Sequence, residues 1–104
     1  MRAIRLRPRA EREIDQAAAY YARSDIDTAL RLYDVVDHAL ELLADNPAMG
    51  TRRYAHLLPG VLLRMWPLQR FPYIIFYLDV PRTLDVLRFL HAHRDIPAAL
   101  KEET

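Results

Sequence analysis

A chain of 104 residues, 52% hydrophobic and with two glycines, has the make-up of one folded domain, because a disordered segment lacks the apolar surface to offset ordering entropy. Fifteen Lys+Arg against fourteen Asp+Glu leave a net charge of +1, which argues against a protein that works mainly by neutralising phosphates, and the absence of cysteine excludes disulfides and thiolate ligands. Charges at Arg2, Arg5 and Arg7 leave no apolar leader, and the longest apolar run, Tyr73 to Leu78, is too short for a bilayer, so a soluble cytoplasmic protein with a single domain over residues 1–104 is expected.

Ala3 to Arg7 alternates, with Ile4 and Leu6 on one face, and predicts a half-buried strand. Pro8 suits the first position of a helix, and Ala10, Ile14, Ala17, Ala18 and Tyr21 follow at helical spacing, so a helix is predicted from about Pro8 to Ala22. Ser24 and Asp25 offer caps for a second helix, in which Asp27, Arg31, Asp34, His38, Glu41 and Asp45 form a solvated stripe opposite Leu30, Leu32, Tyr33, Val36, Ala39, Leu40 and Leu43. Asn46-Pro47 stops that helix, and the short connection between the two predicts an antiparallel hairpin. Asn46 to Gly60 reads as irregular chain. Strands are then predicted at Val61 to Trp66, Phe71 to Asp79 and about Thr83 to His91; the last two are apolar on nearly every residue, so they should be central. Asp95 to Glu103 could add a short helix capped by Asp95. The order strand, helix, helix, strand, strand, strand (β-α-α-β-β-β) predicts an α+β fold of two layers. In it the helical hairpin covers a three-stranded antiparallel meander to which the N-terminal strand is added.

Five blocks carry a family resemblance: Arg7-Pro8-Arg9-Ala10-Glu11-Arg12-Glu13-Ile14, Asn46-Pro47-Ala48-Met49-Gly50, Leu58-Pro59-Gly60-Val61, Tyr73-Ile74-Ile75-Phe76-Tyr77 and Val86 through Asp95. In order and spacing, from about Arg5 to Leu100, they resemble the ParE toxins of the RelE/ParE superfamily. The resemblance implies the RelE/ParE-like fold and the toxin half of a type II toxin-antitoxin pair. It also implies growth arrest by binding and poisoning DNA gyrase without bond cleavage, and neutralisation by a ParD-like antitoxin, through which alone operator DNA is contacted. The alternative within the superfamily is a RelE-type ribosome-dependent mRNA endoribonuclease. That chemistry needs a base, an acid and cations at the scissile phosphate. Such enzymes have a strongly basic face and a tyrosine or histidine near the C-terminus; here Lys101 is the one lysine and no tyrosine follows Tyr77, which leaves His91 or His93 for that part.

Arg88 interrupts an apolar strand, and a buried guanidinium must be paired, for example with Asp95 or Asp79; otherwise it is a target contact at an exposed strand end. His91 and His93, on one side of an extended segment, have a spacing that can hold a metal, but no third ligand is evident, so hydrogen bonds to the chain are the plainer expectation. With Arg94 and Trp66, which precedes a proline at a strand end, Arg88, His91 and His93 are the candidate gyrase-binding residues, and no catalytic residue is assigned. Ile14, Tyr21, Leu30, Tyr33 and Tyr73, apolar or aromatic positions beside the hairpin, are the candidate antitoxin-binding residues, since a docking tail needs apolar anchor pockets. No cofactor and no metal are expected.

Overall fold

The computed structural model describes residues 1–102. Strand β1 (Ala3–Leu6) leads into helix α1 (Pro8–Ala22), helix α2 (Ile26–Asp45), strands β2 (Leu63–Pro67), β3 (Tyr73–Val80) and β4 (Thr83–His91), and a short helix α3 (Ile96–Lys101). This is the expected β-α-α-β-β-β order. The sheet runs β1-β4-β3-β2, with β2, β3 and β4 as an antiparallel meander and β1 parallel to β4 at its outer edge, Ala3 opposite Thr83 and Leu6 opposite Val86.

Local chemistry sets the helix ends. Pro8 begins α1 where an N–H has no intrahelical partner. At the start of α2 the Asp25 carboxylate accepts from the Asp27 N–H at 3.1 Å and from the Thr28 hydroxyl at 2.8 Å. Asn46, at φ −136° before Pro47, ends it. The hairpin buries Ala10, Ile14, Ala17 and Ala18 of α1 and Ala29, Leu32, Val36, Ala39, Leu40, Leu43 and Ala44 of α2 against Ile75, Tyr77, Leu84, Val86 and Phe89 of the sheet. Small residues on both helices let backbones approach closely, while each buried Leu or Val contributes about 1.5–3 kcal/mol.

Three expectations are corrected. Strand β2 starts at Leu63 and not at Val61, because Gly60 turns the chain at φ +89° and leaves Val61 exposed. Strand β3 starts at Tyr73 and not at Phe71, because Arg70 takes a left-handed φ of 72° and Pro72 has no N–H for a ladder. Ile4, expected to face the core with Leu6, is 38% exposed, since β1 lies at the sheet edge. The predicted C-terminal helix forms behind its Asp95 cap, whose carboxylate accepts from the Ala98 N–H; Glu103 lies outside the described residues.

The face away from the hairpin carries a second apolar cluster. Leu63, Met65, Ile74, Phe76, Leu78, Leu87 and Leu90 of the sheet pack under Leu58 of the long connection and under Ile96, Ala99 and Leu100 of α3. That connection is pinned rather than loose. Thr51 exchanges two backbone hydrogen bonds with Met65, and the buried Tyr77 hydroxyl donates to the Pro47 carbonyl and accepts from the Gly50 N–H at 3.0 Å. A Cβ at position 50 would meet the Tyr77 ring at 2.9 Å, so this approach requires glycine.

Between Phe76 and Tyr77 the β3–β4 register slips by one residue, with Phe76 opposite Arg88 and Tyr77 opposite Val86, so Leu87 is an extra residue in β4. The bulge breaks the strict alternation of β4. It leaves Arg88 and the C-terminal end of the strand on a register of their own, at the place where β1 has already ended.

Candidate functional site

Because β1 stops at Leu6, the outer edge of β4 beyond Val86 has no strand partner among the described residues, and α1 supplies a side chain instead. Glu13 Oε1 accepts from the backbone N–H of Phe89 at 3.1 Å and from Arg88 Nε at 3.0 Å, while Oε2 accepts from the Arg88 terminal nitrogen at 2.8 Å. Arg88 is fully buried, donates also to the Ala99 carbonyl at 2.8 Å, and lies 3.6 Å from Glu102. Its partner is therefore Glu13, 75 residues away in sequence, and not Asp95 or Asp79, the partners that charge spacing alone suggests. Asp79 instead binds Arg2 and Arg64, and Asp85 forms a two-point pair with Arg7 at 3.0 and 2.8 Å. Being fully enclosed, Arg88 presents nothing to a partner in this conformation.

Just beyond this pair the chain opens onto a groove of about 250 Å³ between α1 and the ends of β3 and β4. Its walls include Gln16 and Tyr20 of α1, Tyr73 of β3, His91 of β4 and Arg94. Tyr73 stacks on Phe89 at 4.9 Å with the rings 3° from parallel, and His91 meets Tyr73 edge-on at 5.2 Å. His91 Nδ1 accepts from the His93 N–H at 3.1 Å, and the two imidazoles stand 5.4 Å apart, so the pair does make the hydrogen bond to the chain that their spacing suggests. Arg94 reaches Glu13 Oε2 only at 3.6 Å, with 45% of its side chain exposed.

Tyr20 is 61% exposed, with the Arg23 guanidinium 5.9 Å from its ring centre, and touches Tyr21 edge-on at 5.4 Å. Burial raises the Tyr73 hydroxyl above its ordinary pKa, with the neighbouring Tyr21 and Tyr20 phenols adding to the shift. The three phenols thus converge at one end of the sheet.

Of the candidate gyrase-binding residues, then, His91 and Arg94 share this groove, with His93 exposed beside it. Arg88 lies beneath it in the interior, and Trp66, half-buried, lines a separate groove with Asp34, His38 and Arg70. Of the antitoxin candidates, Tyr73 belongs to the His91 groove and Tyr21 packs edge-on against Phe71 at 5.2 Å. Leu30 (57% exposed) and Tyr33, expected on the apolar face of α2, are instead exposed, with Tyr33 turned toward α1, where its hydroxyl donates to Asp15 at 2.6 Å, a bond that, ahead of burial, raises its pKa. Ile14 is 4% exposed in the main core and lies at the floor of a groove of about 290 Å³ that Tyr33, Asp15 and Leu40 also line. Sequence reasoning gave Glu13 and Gln16 no part in a site and placed Tyr20 in neither candidate set. Their spacing of three and four residues on one helix face was the available signal.

Set against known proteins, the chain matches the family model for the ParE toxin of type II toxin-antitoxin systems, parDE, over residues 4–96. It is 34% identical over 99 residues to the Sinorhizobium fredii (strain NBRC 101917 / NGR234) protein named Putative toxin Y4kP, covering 93% of this chain and 95% of that protein. Its fold superposes with a TM-score of 0.73, at 19% identity, on a chain from the chromosomal ParDE TA system of P. aeruginosa, covering 89% of this chain and 98% of that one.

Proposed function

The chain belongs to the ParE toxin family of type II toxin-antitoxin systems, and we propose that it arrests growth by binding DNA gyrase and trapping it with its DNA cleaved, without breaking a bond itself. The observation that carries this reading is the disposal of the polar groups in β4. Arg88, the one arginine within the apolar run of β4, is fully buried and engaged by Glu13 and the Ala99 carbonyl. The sheet face beside it is filled with Phe76, Leu87 and Leu90. Among the groups that β4 and the residues after it leave at the surface are His91, His93 and Arg94, with Tyr20 and Tyr73 alongside. These are groups suited to complementary contact, and His91 engages the His93 N–H and the Tyr73 ring.

A ParD-like antitoxin would neutralise the toxin in the cytoplasm by covering the α2 surface at Leu30 and Tyr33 and reaching Tyr21 and Tyr73, and operator DNA would be met through that antitoxin. Two of these, Leu30 and Tyr33, sit one turn apart on the same exposed helix side, the spacing that an apolar anchor of a docking segment reads. No helix among the described residues is long and apolar enough to cross a membrane.

The test incubates the purified chain with gyrase, ATP and supercoiled plasmid, and in parallel with a translating ribosome extract. Linear plasmid is expected, and it should disappear on adding the protein encoded beside the toxin gene. Cut message with plasmid untouched would overturn the proposal in favour of a ribosome-dependent endoribonuclease.

A further inference from the structure

The groove bounded by Tyr20 and His91 has a chemistry that points to its own ligand. Tyr20 offers a largely exposed aromatic ring, and Tyr73 with His91 gives the opposing wall. Arg94 and the Gln16 carboxamide also line the groove, His93 lies beside His91 with the imidazoles 5.4 Å apart, and Arg23 lies against Tyr20. The carboxylate that lines the groove, Glu13, has its charge matched by buried Arg88, so the local balance among these groups is cationic through Arg94 and Arg23 although the whole chain carries +1. Aromatic side chains lining a groove of about 250 Å³, next to guanidinium and phenol donors, match a base with its attached phosphate, the combination used by proteins that hold unpaired strands. A stacked duplex presents no free base face to such a groove, and an acidic peptide would use the cations while leaving the ring walls idle.

We propose that this groove binds one or two unstacked nucleotides of single-stranded DNA. The base lies against Tyr20 and His91, and the phosphate is met by Arg94. The inference rests on the poisoning reading for its setting, since DNA opened by a trapped topoisomerase supplies unpaired nucleotides, but the binding is measured without gyrase.

The experiment titrates the purified chain into fluorescein-labelled dT10 and reads anisotropy, with a ten-base-pair duplex and a polyglutamate competitor alongside. Binding to dT10 tighter than to the duplex is expected, with log Kd rising with log salt at a slope of about 0.7–1.4, the signature of one or two phosphates. Tyr20→Ala and Arg94→Ala should each weaken binding about tenfold, Tyr20→Phe should retain it, and His38→Ala in the other groove should leave it unchanged. Equal binding to duplex, full displacement by polyglutamate, or no loss in Tyr20→Ala would overturn the inference. Each variant is also run in the plasmid-linearisation assay. Linearisation by a chain that does not bind dT10 sinks the inference and spares the poisoning reading, whereas dT10 binding without linearisation does the reverse.

Discussion

Two neighbouring regions draw on the same residue types and put them to opposite uses. In the interior, Arg88 meets Glu13 through three contacts of 2.8 to 3.2 Å and is fully enclosed; at the rim, Arg94 approaches the same carboxylate at 3.6 Å with 45% of its side chain in water. The difference shows that burial, and not charge or strand position, decides which arginine is structural. A charge removed from water must be satisfied on every side, and Arg88 is, whereas a half-solvated guanidinium keeps its freedom to change partner.

The sharpest way to break the comparison is Glu13→Ala. It leaves the Arg88 guanidinium buried without its counter-charge and the Phe89 N–H without an acceptor, and should cost about 3–5 kcal/mol, a fall in melting temperature of roughly 12–30 °C for a domain this size. Toxicity and antitoxin capture should fall together with stability, measured by thermal melts beside a growth assay and a pull-down. If Glu13→Ala melts like the parent, the Arg88 pair is not the structural one of the two.

Glu13→Gln sharpens the same point. Its amide oxygen can still accept from the Phe89 N–H, so the capping of the β4 edge survives while the charge is lost. A cost of about 1.5–3 kcal/mol is expected, clearly less than for alanine. The gap between the two variants, read from denaturant midpoints, measures what the uncapped edge adds to the unpaired charge.

Arg94→Ala should do the contrary of both. Its ion pair is long and exposed, so stability should move by no more than about 0.5 kcal/mol, while growth arrest weakens because the groove loses its cation. A melt lowered as far as that of Glu13→Gln would place Arg94 in the structural pair and erase the contrast between the two regions.

How much of this was legible in the sequence follows the range of the interactions. The hairpin was, because apolar spacing, the Asp25 cap and the Asn46-Pro47 stop are signals within a few residues. So was the meander, and so was the need of Arg88 for a partner. That the partner is Glu13 was not, since it depends on where β1 ends, on the one-residue slip at Leu87 and on the turn of α1 that faces that edge. The contribution of Tyr20 was hidden for the same reason. On a helix it reads as one more exposed aromatic until the end of β4 is brought alongside. The cover over the second sheet face was also only partly readable, because Pro47, Gly50 and Tyr77 find one another across 27 to 30 residues of chain.

The smallest effect belongs to Glu102, which binds Arg9 at the rim of the buried pair and lies 3.6 Å from Arg88. Its carboxyl is held below the ordinary range by the Arg9 hydrogen bond and charge first; burial opposes them, and Arg88 and then Arg94 add lesser lowering effects. A carboxylate whose pKa is lower folded than unfolded contributes stability above its unfolded value; that contribution drains away as pH falls from about 4.5 through the lowered folded value. Glu102→Gln should therefore melt slightly below the parent at pH 7, and the two curves should converge in acid and also in high salt, since the pair is exposed to screening. A difference that persisted at low pH or in molar salt would mean that Glu102 acts through packing at the end of α3, and would extend the structural region outward to the surface.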